Sequence, residues 1–227
     1  MAIRANALAV MAKAPLAGQV KTRLLPLCTP AEAAELSRSL LVDQLNHLLG
    51  FGRADFYLAF APVDARLQMQ QLAPPSFHLF PQEGDELGSR MAAVFEKLFE
   101  MGHKNVVLIG GDLPPLLLSL FDQAYGFLAA PKQRVVLGPS RDGGYYLVGC
   151  NQPTAQIFTG MSWSHGAVLA QTLERLASLE IEYHLLPGWF DIDTSDDLRY
   201  LESALGDTLE ETMPNSARLL QRLRLKK

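Results

Sequence analysis

A single open α/β domain spanning residues 1–227 is predicted by three features of this chain. Short apolar runs alternate with helix-period patterns along the whole length. One of those runs, Val106-Val107-Leu108-Ile109, is continuously apolar and mostly β-branched, as a strand buried on both faces should be. Finally, 227 residues with 48% hydrophobic content can close one sizeable core and leave little for a second.

Taken in order, Leu8-Ala9-Val10-Met11 is the first strand, and it feeds a basic turn over residues 13–23. Thr29, Pro30 and Glu32 mark a helix start: the threonine caps, the proline suits the first helical position, and the glutamate closes a capping box. Leu36, Leu40, Leu45 and Leu48 then carry an apolar stripe that stops at Gly50. Residues 55–60 form the second strand. A proline-containing connection leads to a short strand over 77–80 and a helix from about Leu87 to Met101, which Gly102 terminates. The run ending at Ile109 delivers Asp112 beyond its C-terminal end. Residues 134–138 and 145–149 are strands flanking Pro139-Ser140-Arg141-Asp142-Gly143-Gly144, a hairpin-like insertion. Ser164 is the expected cap of a helix carrying Val168, Leu169, Leu173 and Leu176, followed by a strand over 182–186. Thr194 and Asp197 make a capping-box variant for the next helix. The chain closes on an amphipathic helix, with Leu219, Leu220, Leu223 and Leu225 on one face and Arg218, Arg222, Arg224, Lys226 and Lys227 along a solvated edge.

In open α/β sheets ligands sit beyond the carboxyl ends of the strands, so the turn after Met11 and Asp112 should face one crevice. Lys13, Lys21 and Arg23 share that turn with Gly18, whose missing Cβ lets backbone approach a phosphate, and the set is a candidate phosphate cradle. It is not a Walker A loop, because Gly18 is separated from Lys21-Thr22 and Lys13 stands where the first glycine would be; nor does a GxGxxG follow the first strand. Hard divalent cations take oxygen ligands, so Asp112 and Asp193 are candidates to share one Mg2+ or Mn2+, with Asp191 in reserve. An extended segment is expected to turn Asp191 and Asp193 to different faces, so that one of them reaches the ion. The proposed catalytic set is Lys21, Asp112 and Asp142, the last holding an acceptor with Arg141 as the alternative for that role, although an Asp-Gly turn between strands also accounts for Asp142. Gln82, Glu83, Asp85 and Arg90 border a helix start near the same crevice. The five histidines lack ligand spacing, and Trp163 and Trp189 are read as packing residues.

The charge balance narrows the partners. A net charge of −4 provides no concentrated basic surface for nucleic acid. No apolar run reaches membrane-spanning length, and two cysteines without a CxxC pair indicate neither a disulfide framework nor a thiolate metal site. A reducing cytoplasm is the expected compartment.

Ala12-Lys13-Ala14-Pro15, Val20-Lys21-Thr22-Arg23-Leu24, Gly110-Gly111-Asp112-Leu113-Pro114, Asp142-Gly143-Gly144-Tyr145-Tyr146-Leu147 and Asp191-Ile192-Asp193-Thr194 together resemble an uncharacterised, glycosyltransferase-like bacterial family of the nucleotide-diphospho-sugar transferase superfamily. The resemblance covers nearly the whole chain. It implies a GT-A fold, a Rossmann-like three-layer α/β/α arrangement on a mixed, mostly parallel sheet, with nucleotide at the N-terminal half and acceptor at the C-terminal half. It implies Asp193, rather than Asp191, as metal ligand, and transfer of a sugar from a nucleotide sugar to a small acceptor. Lys21-Thr22-Arg23-Leu24 followed by Thr29-Pro30-Ala31-Glu32, with Asp193-Thr194 before Asp196-Asp197-Leu198, is also similar to the phospholactate guanylyltransferases. That similarity implies an alternative, nucleotidyl transfer from an NTP to a phosphorylated small molecule with loss of pyrophosphate. Those enzymes lack the Gly143-Gly144-Tyr145-Tyr146 run, so their acceptor does not carry over. Where many glycosyltransferases have Asp-x-Asp, this chain has Gly111-Asp112-Leu113-Pro114. A third expectation is a nucleotide-binding protein of the same fold that has lost catalysis.

Overall fold

Buried strands need both faces covered, and the alternation along the first strand shows how this chain does it. In the computed structural model, which describes residues 3–163 and 165–224, that strand is Asn6–Lys13 (β1). The expected Ser164 cap and the Leu225, Lys226 and Lys227 end of the last helix lie outside the described residues. The other strands are Asp55–Ala61 (β2), Phe77–Pro81 (β3), Asn105–Gly110 (β4), Arg134–Pro139 (β5), Tyr145–Cys150 (β6) and Glu182–Leu185 (β7). They form one seven-stranded sheet in the order β3-β2-β1-β4-β6-β5-β7, in which only β6 runs against its neighbours.

The helices are Pro30–Leu48 (α1), Arg66–Leu72 (α2), Leu87–Glu100 (α3), Leu118–Leu128 (α4), Val168–Ser178 (α5), Ser195–Leu205 (α6), Leu209–Thr212 (α7) and Pro214–Arg224 (α8). Leu8 and Val10 pack with Leu41 and Leu45 of α1, Met69 of α2 and Phe121 of α4 on one face of the sheet. On the other face Ala7 and Ala9 pack with Phe95 and Leu98 of α3 and Leu176 of α5. The result is the three-layer α/β/α arrangement with a mixed, mostly parallel sheet. A third cluster joins Leu36 and Leu40 of α1 to Phe190, Ile192, Leu201 of α6 and Leu219 and Leu220 of α8. Beside it the buried Asp43 carboxylate accepts from the Asn215 and Ser216 backbone N–H groups at 3.1 and 2.8 Å, satisfying donors at the start of α8.

Local chemistry agrees with the sequence at the helix starts. Thr29 and Glu32 form the reciprocal capping box of α1, and Thr194 and Asp197 form that of α6. Three expectations need correction. The 62–76 connection contains α2, whose two turns bury only Met69 and Leu72 and so carry no readable stripe. Helix α5 begins at Val168 with Ala167 at the capping position. The 134–150 hairpin is antiparallel as expected, but it is no insertion: β6 lies inside the sheet between β4 and β5. Among the described residues no helix is long and apolar enough to cross a membrane.

Candidate functional site

The site grows from the carboxyl ends of two neighbouring parallel strands. Met11 of β1 is in register with Gly110 of β4, so the basic turn and Asp112 leave the sheet side by side. The Gly111 N–H donates to the Met11 carbonyl at 3.0 Å, and a Cβ on Gly111 would sit 2.8 Å from that of Ala12; glycine lets the two segments touch. The second acidic motif is tied to the first through its backbone, with the Ile192 N–H donating to the Asp112 carbonyl at 3.1 Å. Ile192 is fully buried, and Asp191 and Asp193 both face the cleft. The expectation that these two carboxylates diverge is thereby corrected. Residues two apart in extended chain share a face, and it is Ile192 between them that turns inward.

Lys21 is the centre of the arrangement. Its backbone is left-handed (φ 50°, ψ 35°), a conformation unusual for a residue with a side chain. Its side chain, 1% exposed, places Nζ 3.1 Å from Oδ1 of Asp112 and 3.1 Å from Oδ1 of Asp193. Both aspartates are about half exposed, and Arg23 Nη1 stands 3.9 Å from the other Asp193 oxygen with the rest of its side chain in solvent. Asp197 fixes the Asp193 segment: its Oδ2 accepts from the N–H groups of Asp193 and Thr194 at 3.1 and 2.7 Å.

These groups line a polar cleft of about 520 Å³. Of the residues expected from sequence, it brings together Lys13, Lys21, Arg23, Asp112 and Asp193, and adds Gln82, Asp85 and Arg90. Ser37 of α1 also lines it, unnoticed in the sequence because it sits on a helix face among leucines. Gly18 does not line the cleft. Its φ of +79° accounts for a glycine in this turn, and nothing lies within 4 Å of where its Cβ would be.

Asp142 belongs to a second, adjoining cavity of about 270 Å³, whose wall shares Met11, Leu87, Gly110 and Asp191 with the first. Asp142 Oδ1 accepts from the Gly144 N–H at 3.0 Å, so this carboxylate also shapes the turn that carries it. The hairpin is held in place at Gly143, which has φ +87° and whose added Cβ would lie 2.1 Å from the Gly166 carbonyl oxygen. Trp163 packs edge-on to Tyr145 at 6.4 Å and forms part of the cavity wall. Asp191 stands at the seam between the two spaces. Burial pushes its pKa up to about 6; Asp142, Asp193 and Asp112 push the same way, and a 2.8 Å hydrogen bond from the Ser140 hydroxyl opposes them.

The donor set bears on a metal. Among the described residues no group of three or more His, Cys, Asp or Glu side chains could hold an ion unaided. Magnesium and manganese sites in such clefts need only one or two carboxylates, with waters and substrate phosphates completing the shell. The paired Oδ1 atoms of Asp112 and Asp193, held toward one cationic centre and not buried from solvent, fit that requirement.

Residues 44–165 match the family described as "Uncharacterized protein conserved in bacteria (DUF2064)". A protein of Desulfovibrio desulfuricans G20, provisionally named a nucleotide-diphospho-sugar transferase, superposes with a TM-score of 0.89 and 29% identity over 98% of each chain. A cytidylyltransferase of Leptospira borgpetersenii serovar Hardjo-bovis gives 0.62 at 11% identity, covering 98% of this chain and 95% of its own. The 4-diphosphocytidyl-2C-methyl-D-erythritol synthase of Anaerococcus prevotii gives 0.58 at 10%, covering 88% and 96%. At those identities the last two share the fold. No curated protein matches the chain.

Proposed function

This chain belongs to the DUF2064 family, and from that premise we propose that it is a Mg2+- or Mn2+-dependent transferase that moves a sugar from a nucleotide sugar to a small acceptor. The observation that carries this reading is the pair of adjoining spaces, one lined by cations and carboxylates and the other largely apolar, which meet at Asp191. The kinship with the Desulfovibrio protein supports it.

In this reading the diphosphate of the donor lies in the polar cleft, where Lys13, Lys21 and Arg23 neutralise its oxygens. Asp112 and Asp193 would hold the ion, which supplies further neutralisation of charge on the departing diphosphate. The acceptor lies in the second cavity with its hydroxyl near Asp142. Its oxygen bonds to the sugar C1 as the C1–O bond to the diphosphate breaks, and its proton passes to the Asp142 carboxylate. Catalysis is chiefly electrostatic and positional, which is why Lys21, Asp112 and Asp142 form the catalytic set.

A second reading, nucleotidyl transfer from an NTP with pyrophosphate leaving, is favoured by one feature: Lys13, Lys21, Arg23 and Arg90 put four cations around the cleft, enough for a triphosphate. Both thiols, Cys28 and Cys150, are unpaired, which suits a reducing compartment, and we assign the reaction to the cytoplasm.

Thermal unfolding against nucleotide sugars and NTPs, each with and without Mg2+ or Mn2+, tests these assignments. Ligand at about 100 times its dissociation constant adds roughly 2.7 kcal/mol, a shift of a few degrees. Selective, metal-dependent stabilisation by a nucleotide sugar is the expected result. Stabilisation by an NTP alone would move the assignment to nucleotidyl transfer, and a flat response across the common bases would leave a non-catalytic relative of the fold.

A further inference from the structure

We infer that the acceptor is a compound without phosphate or carboxylate, carrying an apolar, ring-sized body beside its reacting hydroxyl. The inference rests on the transferase reading above for the word acceptor, and on the wall of the second cavity for the chemistry.

That wall contains neither lysine nor arginine among the described residues. Its interior is formed by side chains such as Met91, Leu108, Val148 and Val168, with the rings of Tyr145 and Trp163 set edge to face. The charged groups it does contain are the carboxylates of Asp142 and Asp191. His165 also lines the wall, its Nδ1 accepting from the Ala167 N–H at 3.1 Å and its Nε2 paired with the Ser162 hydroxyl at 2.8 Å. All four cations of the site, Lys13, Lys21, Arg23 and Arg90, lie instead in the polar cleft. An acceptor phosphate would therefore leave water for a largely apolar space next to two like charges, with no lysine or arginine to receive it. An apolar body loses nothing polar on entry and gains contact with an already formed wall. About 270 Å³ holds one or two fused rings, not an oligosaccharide.

A matched pair of probes tests this: 2-naphthol and 2-naphthyl phosphate, which differ only in the phosphate. The chain has two tryptophans, so the indole N–H resonance of Trp163 in nitrogen-15-labelled protein reports binding in this cavity. Naphthol should move that resonance with a dissociation constant at least tenfold lower than naphthyl phosphate. Leu87 is 46% exposed at the start of α3 and belongs to the shared wall, so Leu87→Arg adds a cation at the mouth without opening the core. It should narrow the gap between the two probes several-fold. Phosphate bound as tightly as the alcohol, a Trp163 resonance moved by neither probe, or a gap unchanged in Leu87→Arg would each overturn the inference. Nucleotide-dependent stabilisation, followed in the same samples, keeps the two questions apart. A protein that no nucleotide stabilises overturns the transfer reading, while the naphthol pair still decides the chemistry of the cavity.

Discussion

Lys21 holds a backbone conformation that costs a residue with a Cβ about 1–2 kcal/mol, and it does so where two carboxylates converge on its ammonium. The oxygens that hold Nζ are the ones assigned to the metal, so the two cations compete. In Lys21→Met, Mn2+ should bind the nucleotide-free protein several-fold more tightly, as counted by the free-ion electron paramagnetic resonance signal, while stabilisation by the nucleotide donor falls. Unchanged Mn2+ affinity would mean that the ion uses other oxygens. Asp191 makes a second expectation at this scale. Its carboxyl is raised from an ordinary 3.8 to about 6, first by burial and then by its acidic neighbours. Between those values the folded chain keeps a proton that the unfolded chain has lost. This group's contribution to stability is thus fullest below about pH 4 and is lost as pH rises through 6. Asp191→Asn should raise the unfolding free energy at pH 7 by up to about 3 kcal/mol and flatten the slope between pH 4 and 6 in urea titrations without added metal. A slope that survives in the variant belongs to other groups.

The elements that carry these residues are held by contacts that can be removed one at a time. Asp197 caps α6 and grips the Asp193 backbone in the same stroke. Asp197→Ala should cost about 1 kcal/mol of stability and weaken nucleotide binding as well, whereas a cap with no role in the site would move stability alone. Gly143 and Gly206 both have positive φ, yet only Gly143 has a neighbour, the Gly166 carbonyl, where its Cβ would go. Gly143→Ala should lower the melting temperature by several degrees more than Gly206→Ala. At this scale the sequence is most readable where a strand is buried on both faces or a helix starts on a capping box: β1, β4, α1 and α6 were all legible. Helix α2 was not, because two buried side chains on two turns leave no period to detect. The candidate site divides the same way. Lys21, Asp112 and Asp193 could be picked out as residue types at strand ends, but their meeting at one nitrogen depends on the Ile192-to-Asp112 backbone hydrogen bond, which has no local signature. Trp163 and Val168 read as packing residues, and only their meeting with Met91 and β6 makes them a cavity wall.

For the whole molecule, one sheet runs through both halves of the chain, and the cluster of α1, α6 and α8 ties the first third of the sequence to the last. Unfolding should therefore be a single cooperative transition, with calorimetric and van't Hoff enthalpies in agreement. Two resolved transitions would divide the 1–227 unit. The direction of β6 has a further result. A strand that runs against its neighbours brings its hairpin tip to the rim where they end, so the 139–144 turn reaches the site from the side and is tied there through Ser140 to Asp191, Arg141 to Trp189 and Gly143 to Leu169. Those ties run to the 169–191 segment, so a change at the tip acts on that segment and not on the register of β1 against β4. Variation confined to this hairpin would change what the second cavity admits and leave the strand ends that carry Lys13 and Asp112 as they are.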